Sequence, residues 1–405
     1  MLRVLTLSTL FPNAARPTLG VFVERQTLGL AALADVDVQV VSPVGLPPWP
    51  LSLHPHYRAA PNLPEREEWK GLTVHRPRFR VLPRIGERAT ALAMARALLP
   101  LLRKIQRDSP FDVIDAEFFW PDGPAAMHLS RALGVPFSIK ARGADIQYWG
   151  LRRGVADQVI AAGQAANGLL AVSAALRDVM IGLGMPDRIK VHYTGVDLDR
   201  FGPVDRAAAK ARLGVSGPLI VSAGALIERK GQAITIAAMD KIPGATLLLV
   251  GDGPDRPALE RQIRQSKLGD RVRLLGNRPH SELPELLGAA DVMVLSSRSE
   301  GLANVWVEAL ACGTPVVITD IGGAREVLSD ASAGRIVARE PDAIAAAVRD
   351  LLAGPPDPQV VRRTAERFSW VRNAAELREH LSSLVIPAKA GTQNQRSTGS
   401  PLSRG

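Results

Sequence analysis

"RSEGLANVWVEALACGTPVV", Arg298–Val317, carries the reading on which the fold turns. It opens in a polar, Gly-containing turn and runs through a nearly unbroken apolar stretch. It then breaks at Gly313-Thr314-Pro315 and enters β-branched residues. Before it lies "DVMVLSS" (291–297), a short run of strand formers. Strand, helix and strand in such short compass make a parallel crossover unit. Two acids interrupt the pattern. Glu300 falls in the turn, and Glu308 stands alone among apolar neighbours. A buried carboxylate without a partner is costly, so Glu308 requires one. A helix beginning near Leu302 would set Glu308 about two turns in, roughly 10 Å along the axis. Both acids then face one ligand from opposite ends. A carboxylate accepting two hydrogen bonds suits a vicinal diol such as a ribose. The alternative, a solvent-exposed helix face, sits poorly with the apolar residues around Glu308.

The same alternation extends outward. "PLIVSAG" (218–224), "ATLLLVGDG" (245–253), "RVRLLG" (271–276) and "TPVVITD" (314–320) read as strands separated by helical stretches. That is a doubly wound α/β unit, with ligands expected beyond the carboxyl ends of its strands. The first half shares the architecture without repeating the sequence. Its strands are "LRVLTLS" (2–8), "DVQVVSPV" (37–44), "LTVHRPRF" (72–79), "FDVIDAE" (111–117), "PFSIKAR" (136–142) and "NGLLAVS" (167–173). Residues 45–70, rich in Pro and His, read as a loop, and Arg88–Arg107 as a helix.

In "SAGALIERKGQ" (222–232), Gly224 permits a tight turn, and Arg229 and Lys230 stand at the expected start of the next helix. Two cations beside helix N–H groups make an anion site, most simply for a diphosphate. A surface Arg-Lys pair is the plainer alternative. The N–H groups of Gly301 and Leu302 offer a second phosphate cradle.

Bulk properties narrow the function classes. A chain of 405 residues with 46% hydrophobic content suits two or three globular domains. The single cysteine, Cys312, excludes an intrachain disulfide and fits a reducing compartment. The most apolar stretch, "ATALAMARALLPLL" (Ala89–Leu102), is too short for a membrane span and is broken by Arg96 and Pro100. "MLRVLTLSTLFP" reads as a first strand rather than a signal peptide, so a cytoplasmic location is expected. The net charge of +10 is not organised in basic tracts with interleaved aromatics, which argues against nucleic acid. Arg76, Arg78, Arg80, Arg84, Arg88, Arg96, Arg103, Lys104 and Arg107 gather around one amphipathic stretch. They make either a solvated helix face or a peripheral contact with an anionic membrane. With no Asp-x-Asp pair in a suitable setting and no Cys/His cluster, no metal and no cofactor are expected.

Glu300 and Glu308 with seven residues between them, followed by "ALACGTPVV" and Gly322-Gly323, form a specific combination. "GALIERKG", "GDGP" (251–254) and "GNRPHSELPELLGAADVMVLSSRSEG" (276–301) extend it. Together they resemble the C-terminal domain of retaining GT-B glycosyltransferases of family 4, group 1. The resemblance covers residues 1–385 and is strongest over 218–330. "TLGVFVERQ" (18–26) resembles the loop of a subgroup that builds bacterial surface polysaccharides. The implied fold is α/β, with two Rossmann-like doubly wound domains facing across a cleft. Residues 1–200 would bind the acceptor, joined by a C-terminal helix at about 369–385, and 201–368 would bind the nucleotide-sugar. The polar tail 386–405 is expected to be disordered.

The resemblance also implies residue roles. Glu308 would hold the ribose hydroxyls and Glu300 those of the donor sugar. Lys230, with Arg229, would neutralise the diphosphate leaving group. Gly224, Gly301, Leu302, Asn304 and Arg278 would line the donor bed, the base lying near Gly276–Arg278. Gly20 would let the backbone approach the diphosphate or acceptor. The chain departs from the family at four positions: Ala225 replaces a frequent Arg, Ala303 a frequent Pro, Thr194 an Asn, and Arg142 a His. Arg142, in "KARGADI" (140–146), offers a fixed positive fork suited to a phosphate or acidic sugar. Asp145 shares that loop, and an internal Arg142–Asp145 ion pair is the structural alternative. The implied activity is retaining, metal-independent hexosyl transfer from a nucleotide-diphospho-sugar co-substrate to a glycan or polyprenyl-linked acceptor. The enzyme would work in the cytoplasm, with peripheral contact at the inner face of the plasma membrane. A non-catalytic or epimerase-like sugar-nucleotide binder of the same fold is the rival reading.

Overall fold

The computed structural model describes residues 1–385 apart from 55, 56, 58, 59, 84 and 85. The expectation for the 386–405 tail, and Arg84 of the basic cluster, lie outside the described residues. In chain order the first half contains β1 (Leu2–Leu7), β2 (Val36–Val41), β3 (Val44–Leu46), β4 (Arg66–Trp69) and β5 (Leu72–His75). It continues with β6 (Arg78–Arg80), β7 (Val113–Ala116), β8 (Phe137–Ala141), β9 (Gly168–Ala171) and β10 (Lys190–Val191). The second half contains β11 (Leu219–Ala223), β12 (Thr246–Val250), β13 (Val272–Gly276), β14 (Val292–Leu295), β15 (Val316–Thr319) and β16 (Gly334–Val337).

The first sheet runs in the order β10-β9-β8-β7-β1-β2-β5-β4, the second in the order β13-β12-β11-β14-β15-β16. The second is parallel throughout; in the first, only the β4–β5 pair is antiparallel. Helices cover both faces, which is why β7, β8, β11 and β15 are buried along their whole length. Each sheet reverses its winding once, between β1 and β7 and between β11 and β14. Those two switch points are where an open α/β sheet leaves a crevice.

Three details differ from the sequence reading. "LTVHRPRF" is not one strand but two, β5 and β6, broken at Arg76-Pro77, because Pro77 has no N–H for a ladder. The supposed loop at 45–70 contains β4, whose sequence "REEW" carries no apolar alternation to announce it. Arg76 does not belong to an exposed basic face. It is fully buried, paired with Glu67, and donates to the Pro12 carbonyl at 2.7 Å.

After β16 the chain returns to the first sheet. The Val196 N–H donates to the Phe368 carbonyl at 2.6 Å and the Trp370 N–H to the Val196 carbonyl at 3.3 Å. The helix Trp370–Val385 then packs Leu377 and Leu381 into a core with Val4, Leu30 and Val113. It lies directly against β9. A Cβ on Gly168 would come within 2.5 Å of His380 Nε2, and that nitrogen is 2.9 Å from Ser138 Oγ. Leu381→Ala should therefore cost about 2–5 kcal/mol in urea unfolding. A loss below about 1 kcal/mol would mean that the helix is not part of the first core.

Candidate functional site

Glycines make the floor of the second-domain side. Gly224, at the end of β11, has φ +154°, and Gly251, at the end of β12, has φ +131°. A Cβ on Gly251 would lie 2.1 Å from the Gly224 carbonyl oxygen, so the two strand ends meet backbone to backbone. The chain then makes a 3-10 turn at Glu228–Lys230 before the helix Gln232–Ala238, so Arg229 and Lys230 precede that helix rather than open it. Lys230 Nζ donates to Glu300 Oε1 at 2.6 Å, and Arg229 Nη1 stands 3.4 Å from the same oxygen.

The helix after β14 begins at Asn304, not near Leu302. Ala303 keeps an extended ψ of 122°, so Gly301 and Leu302 lie in the approach to the helix and not in its first turn. Glu308 is consequently about one turn in, roughly 6 Å along the axis. It is 6% exposed and does have the partner that its apolar setting demands. His280 Nε2 donates to Glu308 Oε1 at 2.9 Å, and Arg25 Nη1 is 3.6 Å from that oxygen. Arg25 Nη2 also donates to His280 Nδ1 at 2.9 Å. The imidazole thus bridges the Arg25 guanidinium at Nδ1 and the Glu308 carboxylate at Nε2. Arg25 comes from the helix Val21–Ala31 of the first half, so this chain of contacts crosses between the domains.

Gly20 caps that helix at φ +64°, where a Cβ would fall 2.1 Å from the Leu10 carbonyl oxygen. Only glycine fits there. The helix also presents Phe22, whose ring centroid lies 4.9 Å from the Arg142 guanidinium. Arg142 pairs with Glu117, not with Asp145. It also donates to the Glu117 carbonyl at 3.2 Å and to Gln26 Oε1 at 3.2 Å. The expected Arg142–Asp145 side-chain pair is absent because Asp145 serves the backbone. It accepts N–H bonds from Arg142 at 3.0 Å, Gly143 at 2.8 Å and Phe119 at 3.0 Å.

Beneath Arg142 lies a buried ionic network. Lys140 Nζ donates to Gln26 Oε1 at 2.6 Å and to His192 Nδ1 at 2.8 Å. Burial, with Arg142 nearby, pulls the Lys140 pKa well below the usual lysine range. Burial raises the Glu117 carboxyl, but Arg142 and Lys140 outweigh it and leave the pKa below normal. Burial, with the Glu117 carboxylate beside it, pushes Asp115 well above the usual carboxylate range. Arg25, His280, Glu117, Lys140, Gln26 and His192 escaped the sequence reading. The one available signal was polar residues at the carboxyl ends of apolar strands, as in "FDVIDAE" and "PFSIKAR".

The two domains touch through backbone as well. A Cβ on Gly143 would meet the Gly301 nitrogen at 2.8 Å, and one on Gly301 the Arg142 carbonyl oxygen at 2.3 Å. Gln147 donates to the Glu300 carbonyl at 3.1 Å, and Thr194 to Asn304 Oδ1 at 2.7 Å. Between these contacts lies a cavity of about 590 Å³ that Gly224, Lys230, Glu300, Leu302, Asn304, Glu308, Arg278 and Arg142 all line. Arg25 and His280 line it too. Arg278 at its rim stands 3.6 Å from Glu282. Arg229 and Gly301 adjoin it through Glu300, whereas Gly20 and Asp145 act behind it on the backbone. The volume suits a ligand of nucleotide-sugar size. Its chemistry is two carboxylates at separate positions, each already matched by cations or an imidazole N–H. That suits a ligand that is both anionic and rich in hydroxyls.

Comparison with known proteins follows the same division of the chain. A family model described as glycosyltransferase family 4 matches residues 19–200, and one described as glycosyl transferases group 1 matches residues 205–368. The chain is 31% identical, over 80% of its own length and 82% of the relative's, to a Bacillus subtilis protein assigned as the teichuronic acid biosynthesis glycosyltransferase TuaC. It is 36% identical to a GDP-mannose-dependent alpha-(1-6)-phosphatidylinositol monomannoside mannosyltransferase of Mycolicibacterium smegmatis. That match spans 46% of this chain and 54% of the relative. Among solved structures, sucrose-phosphate synthase of Thermosynechococcus elongatus superposes with a TM-score of 0.78 at 22% identity, over 95% of this chain and 99% of that one. Anabaena HepE, in complex with UDP-glucose, superposes with a TM-score of 0.71 at 21% identity, over 95% of this chain and 100% of that one.

One buried acid gives a pH dependence. Asp122 Oδ2 accepts the Thr9 N–H at 3.0 Å while Oδ1 has no partner, and burial pushes its pKa up to about 7. A folded-state pKa above the unfolded value adds stability below the unfolded pKa, and that stability is lost as pH rises through about 7. Asp122→Asn should remove this dependence. Its stability relative to the parent, followed by urea unfolding from about pH 5 to about pH 9, should rise up to about pH 7 and then level off. A pH-independent difference would contradict the assignment.

Proposed function

The chain belongs to the group 1, family 4 glycosyltransferases, and on that premise we propose that it moves a sugar from a nucleotide-diphospho-sugar to a growing, lipid-linked cell-surface glycan. The observation that carries this reading is the pairing of the two acids: Glu300 with Lys230 at 2.6 Å, and Glu308 with His280 at 2.9 Å, in one cavity. Each pair offers an exchange. Ribose hydroxyls donate to Glu308 in place of His280 and Arg25. Donor-sugar hydroxyls donate to Glu300 in place of the two cations, leaving Lys230 and Arg229 for the diphosphate. Because the groups are held before the ligand arrives, little reorganisation is needed when charge develops on the leaving diphosphate. Arg25, released from Glu308, adds a cation from the opposite domain and offsets the missing arginine at Ala225.

In this reading transfer is metal-independent and retaining. The acceptor attacks on the face from which the diphosphate leaves, and the departing phosphate oxygen takes the acceptor's proton. The C–O bond to the leaving phosphate breaks as the bond to the acceptor oxygen forms. HepE binds UDP-glucose and the M. smegmatis relative depends on GDP-mannose, so uridine and guanosine donors are the first to test. The work site is the cytoplasmic face of the membrane. Among the described residues no helix is long and apolar enough to cross a bilayer. The rival reading, a non-transferring sugar-nucleotide binder, draws on the occupation of the Arg142 guanidinium by Glu117.

Lys230→Ala and Glu308→Ala should each lower transfer from the matching donor by on the order of 10²–10³-fold, with the thermal unfolding midpoint little changed. The donor is found first, as the nucleotide-sugar that raises that midpoint in a panel of UDP-, GDP-, ADP- and dTDP-sugars. Full transfer activity in both variants would remove the assigned donor site. Donor binding with no transfer to any lipid-linked acceptor and no slow release of free sugar would favour the rival.

A further inference from the structure

The Gly322-Gly323 pair of the sequence motif seats an acid at the boundary between the domains. Gly322 has φ +49°, and a Cβ there would lie 2.2 Å from the Glu300 carbonyl oxygen and 2.5 Å from that of Gly301. The Gly323 N–H donates to the Gly301 carbonyl at 2.8 Å. The segment after β15 thus rests directly on the turn that presents Glu300. Glu326 follows on the short helix Ala324–Val327.

Glu326 reaches into the other domain. Its Oε2 accepts the Ala174 N–H at 2.9 Å, and its Oε1 accepts the same N–H at 3.0 Å and that of Ala175 at 3.3 Å. These are the first two N–H groups of the helix Ala174–Gly182, which starts just after β9. The helix has its own cap in Ser173, but that hydroxyl accepts only from Leu176, at 3.2 Å. Without Glu326 the first turn would present two unpaired N–H groups at the positive end of the helix dipole. A carboxylate there makes charge-assisted hydrogen bonds. Helix caps ordinarily come from the residue at the helix start. Here 152 residues separate Glu326 from Ala174, and the two lie in different domains. Burial and then the Glu326 carboxylate raise the Tyr193 phenol pKa, so a further first-domain group stands beside the same acid.

The contact bears on the site. Two residues before Ala174, Val172 lines the donor cavity, and a Cβ on Gly301 would fall 2.8 Å from its Cγ2. At the neighbouring strand end, Arg142 and Gly143 meet Gly301 through backbone. Glu326 therefore joins the helix after β9 to the loop beneath Glu300, behind the cavity that Glu300 and Arg142 both line.

We propose that Glu326 is a positioning residue for transfer. It clasps the two domains behind the Glu300 turn and holds Glu300 in register with Arg142. The kinetic consequence rests on the transferase reading above; the clasp itself does not.

The test measures domain separation and kinetics together. Asp178→Cys and Asp342→Cys, at exposed positions on the first and second domains, carry spin labels for a distance measurement, and the native Cys312 is buried. In that background Glu326→Gln, which loses the charge and sets an amide NH2 against N–H donors, should add a population of longer distances between the labels. Glu326→Asp, which keeps the charge, should add less. Asp205→Ala removes a helix cap wholly inside the second domain, where Asp205 accepts from Ala208 at 3.0 Å, and should leave the distances unchanged. In the unlabelled chain, Glu326→Gln should lower kcat for transfer, or for slow release of free sugar, about tenfold, the size expected for losing a charge-assisted contact. Donor affinity should stay within about threefold of the parent, because Lys230, Glu300 and Glu308 all stand on the second domain. Unchanged distances in Glu326→Gln, an equal lengthening in Asp205→Ala, or a loss of donor affinity that matches the fall in kcat would overturn the proposal. Longer distances in Glu326→Gln of a chain that binds no nucleotide-sugar would instead count against the transferase reading and leave the clasp in place.

Discussion

Glu308 is the constraint around which the site is organised. A carboxylate 6% exposed in an apolar helix is costly to bury without a donor. Its donors come from two places that the chain does not place near each other. His280 belongs to the loop after β13, and Arg25 to the first helix of the opposite domain. One acid therefore ties the two domains together. The same carboxylate is the group best suited to a ribose diol. In the proposed reading, a ribose diol would take the oxygen atoms that His280 and Arg25 hold, so donor binding would be coupled to the contact between domains.

Glycine sets how closely the domains approach. Gly143 and Gly301 face each other at distances where any side chain would collide with backbone. Within the second domain, a side chain on Gly251 would collide with the Gly224 carbonyl where β11 and β12 end. These close approaches draw the two switch points over a single cavity. The side chains that line it stand on helices and on the short segments that follow the strand ends. Behind Arg142, the network of Glu117, Lys140, Gln26 and His192 fixes the guanidinium on the first-domain wall. This arginine is pinned.

Much of the architecture was legible because buried parallel strands read as short apolar runs. The segments around β1, β2, β7, β8, β9 and β11–β15 could be read that way, and the family resemblance followed from the pattern between β11 and β15. What escaped has a common cause. β4 is polar, and β10 has only two residues, so neither carries a periodic signal. The start of the Glu308 helix was misplaced by two residues because Leu302 and Ala303, though apolar, lie in extended chain before it. At the site, Glu300, Glu308, Lys230 and Gly224 could be grouped from one half of the sequence. Arg25 and His280 could not, since 255 residues separate them. Arg142 looked free or paired to its neighbour Asp145, and its actual partner, Glu117, comes from an adjacent strand end.

The most direct test is a crystal structure with an intact nucleotide-diphospho-sugar bound. The account predicts ribose hydroxyls within hydrogen-bond distance of both Glu308 oxygens, His280 and Arg25 displaced from them, and the diphosphate against Lys230. A nucleotide bound elsewhere, or one bound while Glu308 still holds His280 and Arg25, would contradict it.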